Sequence, residues 1–331
     1  MNTATIRESV HRIDCWLSHG PVYCADSGAV AGVTDDEGVV YWYGEIAGYY
    51  LAYLASLTVE SSKTPTFARH AARQVGSWLQ LQWADTPGPT RLYKSANVDW
   101  RNDYVFAFDL AMILKGLASI QRCGLDAGDG WQIAEFMKVN LIDERGSLCA
   151  IHNKQPGNQP DTWSTSIDGH QLKTAAALIG WGKHFNDHTL CKLGHGLVKN
   201  LTRGNIHDWP HLPLHPRLYA LEGLLLCKLA KPGSLATVLH NILSTIDLET
   251  ERTDVIAQLL RLALFAKIEK RPVDRAASHL LKSINMDGSV AFRTNQASNE
   301  RNTWCAIFTR QALQFYNEAR SGRQLKPGLC I

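Results

Sequence analysis

Two neighbouring stretches decide the fold: WYGEIAGYYLAYLASLTV, residues 42–59, and TPTFARHAARQVGSWLQLQW, residues 64–83. The first is apolar nearly all round, and its one carboxylate, Glu45, falls near the start. A helix of that kind is buried on both sides. The second puts Phe67, Ala71, Val75 and Trp78 on one face and turns Arg69 and Arg73 away. That is the pattern of a helix with one wet face.

Working outward, the same pair of patterns recurs along the chain. Apolar residues at i, i+3, i+4 and i+7, together with caps and breakers, predict about twelve helices. The buried set is 42–59, 103–123, 168–185, 214–228, 252–266 and 303–320. The amphipathic set is 3–19, 64–83, 130–140, 187–203, 233–246 and 272–283. Strict alternation of the two sets predicts an all-α fold, an (α/α)6 toroid of outer and inner helices forming a single domain over residues 1–331. Closing the ring hides both flanks of every inner helix, which an open stack would not do. A weak repeat adds short β-hairpin insertions between an outer helix and the next inner one. Its copies are IDERGSLCAIH (142–152), NMDGSVAFRTN (285–295) and, with Pro and Gly in the turn, WADTPGPTRLYKS (83–95).

Composition narrows the class. The chain has 331 residues, 45% hydrophobic and 20% charged, which excludes a disordered protein and gives room for a large core. A net charge of +3 gives a nucleic-acid partner no electrostatic support. No apolar run approaches the ~18 residues of a membrane span, and the N-terminus does not read as a signal peptide. The eight cysteines form no CxxC and no zinc-like pair with histidine. They read as buried small hydrophobes in a reducing, cytoplasmic setting. No metal or organic cofactor is expected.

The stretches GEIAGYY (44–50), SIDGHQLKTAAALIGW (166–181), LHPRLYALEGLL (214–225), RTDVIAQLLRLAL (252–264) and NTWCAIFTRQAL (302–313) carry a resemblance to the six-hairpin α/α-toroid superfamily. Its members include glycoside hydrolases, unsaturated-glycuronide hydrolases, sugar epimerases and polysaccharide lyases. Terpenoid cyclases and protein prenyltransferases use a related toroid. The rhythm is similar to that of bacterial toroid proteins of surface-polysaccharide biosynthesis. The resemblance implies a carbohydrate-active enzyme, such as a hydrolase, with a saccharide or sugar-like small-molecule substrate. A biosynthetic cyclase, lyase or isomerase on the same frame and a non-catalytic binding protein are its rivals. The acid motifs DxDD and DDxxD are absent; the adjacent Asp35 and Asp36 fall in the turn VTDDEG. A lanthionine-cyclase zinc set, GxGxxG, a P-loop and GxSxG are also missing.

In such a frame the starts of the inner helices face the cavity, and free N–H groups there favour carboxylates. Glu45, Asp168, His170 and Glu222 are the candidate catalytic residues. Glu45 on an apolar helix would be desolvated and kept protonated, suited to general-acid work; its bland alternative is a carboxylate satisfied by an arginine or by backbone N–H groups. Asp168 also reads as an N-cap. His170 and Lys173 would point from a first turn and bind an anionic group. His215, Tyr219 and Glu222 share a helix face, as a cavity wall or a hydrogen-bonded core trio. Arg252 and Asp254 read as substrate-binding or as a structural bridge. Tyr49, Trp100, Asp109 and Trp304 complete the candidate binding residues, with Arg310 a possible partner of Asp109. Trp100, Trp163, Trp209 and Trp304 fall at or before inner-helix starts, where indole faces suit sugar rings.

Overall fold

The computed structural model describes residues 3–60, 65–83, 88–97, 99–154, 160–203, 209–294 and 299–325. In chain order the helices are α1 (Thr3–His19), α2 (Gly44–Glu60), α3 (Thr66–Gln82), α4 (Ala107–Arg122), α5 (Trp131–Asn140) and α6 (Leu172–Phe185). They continue as α7 (His188–Leu201), α8 (Leu214–Leu226), α9 (Ala236–Thr245), α10 (Thr253–Phe265), α11 (Lys270–Lys282) and α12 (Thr303–Arg320). The short strands are β1 (Ala31–Asp35), β2 (Gly38–Tyr43), β3 (Arg91–Tyr93), β4 (Tyr104–Phe106), β5 (Ile151–Asn153) and β6 (Arg301–Asn302). The even-numbered helices are the buried set and the odd-numbered ones the amphipathic set. On α10, residues from Thr253 to Ala263 and Phe265 are buried. On α7 only Leu190, Leu193, Gly194 and Leu197 are, at i, i+3, i+4 and i+7.

The described residues group into two compact units. One comprises residues 24–30 and 41–227, hence α2 to α8. Within it α2 packs on α4, α4 on α6, and α6 on α8, so consecutive buried helices are neighbours. The core here includes Tyr50, Leu51, Tyr53, Leu54 and Trp181, all fully buried; each such Leu contributes about 1.5–3 kcal/mol. The other unit comprises residues 1–23, 31–40 and 228–331, where α12 packs on both α1 and α10.

The α2–α4 contact is set by two glycines. A Cβ on Gly116 would lie 2.2 Å from the carbonyl oxygen of Gly48, and one on Gly48 would lie 2.5 Å from that of Met112. The backbones touch, so neither neighbour can yield by turning a side chain.

Two helix starts expected from periodicity are strands. Tyr104–Phe106 pairs antiparallel with Ile151–Asn153, and Tyr41–Tyr43 pairs with Arg91–Tyr93. Aromatic and β-branched residues favour the extended state once a partner strand is in reach. Residues 31–40 form a hairpin around the VTDDEG turn, where Glu37 N–H donates to Asp35 Oδ1 at 2.8 Å and Gly38 has φ +115°. The acidic-Gly-Ser turns also match each other. Asp143 Oδ1 accepts from Ser147 N–H and Asp287 Oδ1 from Ser289 N–H, each beside a glycine at positive φ. Of the third expected hairpin, residues 84–87 lie outside the described residues. The seven described cysteines are free thiols, and no described helix is long and apolar enough to cross a membrane.

Substituting Gly116 by Ala should lower stability by about 1–3 kcal/mol through forced separation of α2 from α4. The urea midpoint would fall with little change in slope; an unchanged midpoint would show that the two helices can part freely.

Candidate active site

Because α2, α4, α6 and α8 are successive neighbours, the polar residues at their starts belong to one unit. Glu45 is the second residue of α2, Asp109 lies in the first turn of α4, and His170 forms part of a 3-10 turn opening α6. Lys173 follows one turn later, and His215, Tyr219 and Glu222 descend α8.

Two carboxyls flank one phenol. The Tyr43 hydroxyl donates to Asp109 Oδ2 at 3.2 Å, and the nearby Tyr43 and Tyr49 hydroxyls lower the proton affinity that burial gives Glu45. Burial pushes the Glu45 carboxyl above its ordinary range. Burial, reinforced by the charge of Glu45, pushes Asp109 well above it. Burial also raises the Tyr43 and Tyr49 phenols, which stay protonated donors. Among the described residues neither carboxyl has an Arg or Lys at salt-bridge distance. The nearby Arg91 is committed elsewhere. Its guanidinium donates to Asp99 Oδ2 at 3.2 Å and lies 4.6 Å from the Tyr41 ring centre. A cavity of about 30 Å³, walled by Trp42, Trp83, Phe106 and Leu110, opens beside the two carboxyls. It exceeds the ~10–15 Å³ that one water requires.

A buried polar layer continues from Glu45 into α6 and α8. The Tyr49 and Tyr219 hydroxyls are 3.4 Å apart. Lys173 Nζ lies 4.5 Å from the Tyr219 ring centre, 5.4 Å from that of Tyr49 and 3.2 Å from Glu222 Oε2. Lys173 and Glu222 are both sealed from solvent, so Glu222 is held in an ion pair. His170 is fully buried, and neither ring nitrogen has a partner among the described residues. Burial pulls its pKa down to about 4, so the ring is neutral near pH 7. Trp163 sets its indole edge-on against His170 at 5.3 Å and against His215 at 5.6 Å. Glu45, Asp109, Trp163 and His215 keep some exposed surface above this layer.

The other expected residues are placed as follows. Asp168 caps the 3-10 turn, accepting from Gly169 N–H at 2.6 Å, and pairs with His211 at 2.8 Å. Trp100 stacks with Arg101 and meets Tyr104 and Phe106 edge-on. Arg252, Asp254 and Trp304 belong to the other unit, where Arg252 Nε donates to Asp254 Oδ1 at 3.0 Å. Arg310 pairs with Asp14 at 2.9 Å, and Asp109 takes Tyr43 as its partner. Sequence reasoning missed Arg91. It becomes visible only through the pairing of Arg91–Tyr93 with Tyr41–Tyr43, for which local sequence carries no signal. Among the described residues no group of three or more His, Cys, Asp and Glu could hold a metal ion.

No family model matches the sequence, and none of the curated proteins does. Solved structures do match. A D-mannose isomerase aligns with a TM-score of 0.69 at 11% identity, covering 96% of this chain and 98% of that one. Cellobiose 2-epimerase from Spirochaeta thermophila DSM 6192 aligns at 0.65 and 11% identity, covering 96% and 98%. A family 76 glycoside hydrolase from a bovine Bacteroides thetaiotaomicron strain aligns at 0.62 and 12% identity, covering 94% and 78%. At such identities the likeness speaks for the fold alone: the chain has an (α/α)6-toroid fold with alternating outer and inner helices.

His170 makes stability depend on pH. Its folded pKa of about 4 lies below the ordinary 6.5. The unfolded chain therefore takes up the proton first, and stability falls as pH drops from 6.5 to 4. The loss is about 3 kcal/mol, and His170→Phe should remove that part of the acid sensitivity. The raised carboxyls act in the opposite sense: their contribution is present in acid and is lost as pH rises through their folded pKa values. Asp109→Asn should therefore raise the melting temperature at pH 7. A fall would mean that the ionised carboxylate is stabilising there.

Proposed function

We propose that this chain is a carbohydrate-active enzyme that works by acid–base catalysis at the Glu45–Tyr43–Asp109 cluster. The observation that supports the reading is the pair of largely buried carboxyls set around one phenol, Tyr43, which donates to Asp109, with no Arg or Lys in an ion pair with either among the described residues. Two coupled carboxyls with raised proton affinity do not ionise together, so one is an acid while the other can serve as base. Such a pair costs stability, and a structural role would be filled as well by amides.

The favoured reaction is proton transfer next to a sugar carbonyl, as in isomerisation or epimerisation. Two carboxyls set around one phenol would act from one side of a bound substrate. One takes the proton from carbon while the other donates to the carbonyl oxygen. The phenol of Tyr43 steadies whichever carboxyl is ionised. A sugar hydroxyl would be bound by His215, which keeps exposed surface, with the Trp163 indole against the apolar face of the ring. The mannose isomerase and the cellobiose epimerase of the same fold agree with this choice. Hydrolysis is the second reading. It is favoured by the water-sized cavity beside the two carboxyls, where a nucleophilic water could stand.

The deciding assay incubates the protein with aldoses, ketoses and β-linked disaccharides in D2O and follows them by NMR. Isomerisation or epimerisation puts deuterium on the carbon next to the carbonyl, whereas hydrolysis releases a second reducing end. Glu45→Gln and Asp109→Asn should each lower kcat by at least ~100-fold with stability kept or raised. Turnover that survives both substitutions would remove the cluster from the mechanism.

A further inference from the structure

We infer that the buried Lys173–Glu222 pair is a positioning device for Glu45, acting through the Tyr49–Tyr219 hydroxyl contact to set how firmly Glu45 holds its proton. The inference rests on the reading of Glu45 as a proton-transfer group. Lys173 and Glu222 are shut off from solvent on adjacent inner helices, 3.2 Å apart. A buried ion pair is a poor way to gain stability, since packed apolar side chains of similar volume do as well or better. What the pair does supply is a fixed charge in a dry place. Lys173 Nζ lies against the faces of both tyrosine rings, and their hydroxyls meet at 3.4 Å. Tyr49 stands one turn after Glu45 on α2, on the same helix face, and its hydroxyl lowers the proton affinity of the Glu45 carboxyl.

The charged and titratable groups around Glu45 are Tyr43 and Tyr49 beside it in the chain, Arg91 of β3, Asp109 of α4 and Lys173 of α6. Tyr219 and Glu222 of α8 lie one layer further, against Tyr49 and Lys173. Arg91 has Asp99 as its own counter-ion. The attraction of Lys173 for an ionised Glu45 is a lowering influence on its proton affinity, and Glu222 tempers it. The pair therefore works as a graded cation: strong enough to let Glu45 ionise, and too weak to keep it ionised.

Opposite shifts follow from removing each charge. Glu222→Gln leaves Lys173 untempered, so Glu45 should lose its proton at lower pH, by about one unit. Lys173→Met combined with Glu222→Leu removes the cation and fills the space with hydrocarbon, so the same titration should move up by a similar amount. The titration is read directly, by 13C NMR of side-chain carboxyls in labelled protein, with Glu45→Gln to assign the signal. It needs no substrate. Shifts of opposite sign support the inference; no shift, or shifts of the same sign, overturns it. Should Glu222→Gln fail to fold, as loss of a buried ammonium's counter-ion can cause, the double variant alone decides, an upward shift supporting and an unmoved titration overturning. Loss of turnover in Glu45→Gln is a separate measurement, so a failed positioning role and a failed catalytic reading give different results. The pH–rate profile should move with the NMR titration, a coupling that a purely structural pair would not produce.

Discussion

Helix α2 lies on α4 with backbone against backbone at Gly48 and Gly116, and the site depends on that approach. Glu45 stands less than one turn before Gly48, and Asp109 two turns before Gly116. Bringing the two helices to contact carries both starts together, and the Tyr43 phenol at the end of β2 then reaches the Asp109 carboxyl. Any larger residue at the crossing would open the gap that the phenol spans.

The same closeness explains the electrostatics. Inner helices packed flank to flank leave little room for water around their first turns, a cavity of about 30 Å³ beside Glu45 and Asp109. A carboxyl there is stripped of solvent unless a cation accompanies it, and the cations available are engaged by other acids. Arg91 turns to Asp99, and Lys173 to Glu222. The result is a row of polar groups along four successive inner helices: two carboxyls of raised proton affinity, tyrosines beside them, a lysine paired with a glutamate and a neutral histidine. Structural ion pairs, such as Asp14–Arg310 and Asp187–Lys138, are fully matched by contrast.

The fold was legible to a large degree. All twelve described helices begin within four residues of where periodicity puts them, because an inner helix must be apolar around its girth and an outer one only along a stripe. The strands were less so. Tyr-Val-Phe at 104–106 continues a helical pattern in sequence, and only its partner at 151–153 makes it extended. Glu45 could be singled out because it is the one charge in the apolar stretch 42–59. The surroundings of Asp109, Arg91 and Glu222 could not be read in the same way, since Tyr43, Tyr41 and Lys173, which they meet, lie far from them along the chain.

The sequence by itself determined the number and character of the helices, and the residue types gathered at their starts, because burial writes a period into the chain. Only the tertiary structure decided which carboxyl has a cation beside it and which has a phenol. Proton affinity follows from the neighbour across the helix interface, and that neighbour lies dozens of residues away, where no local pattern can announce it.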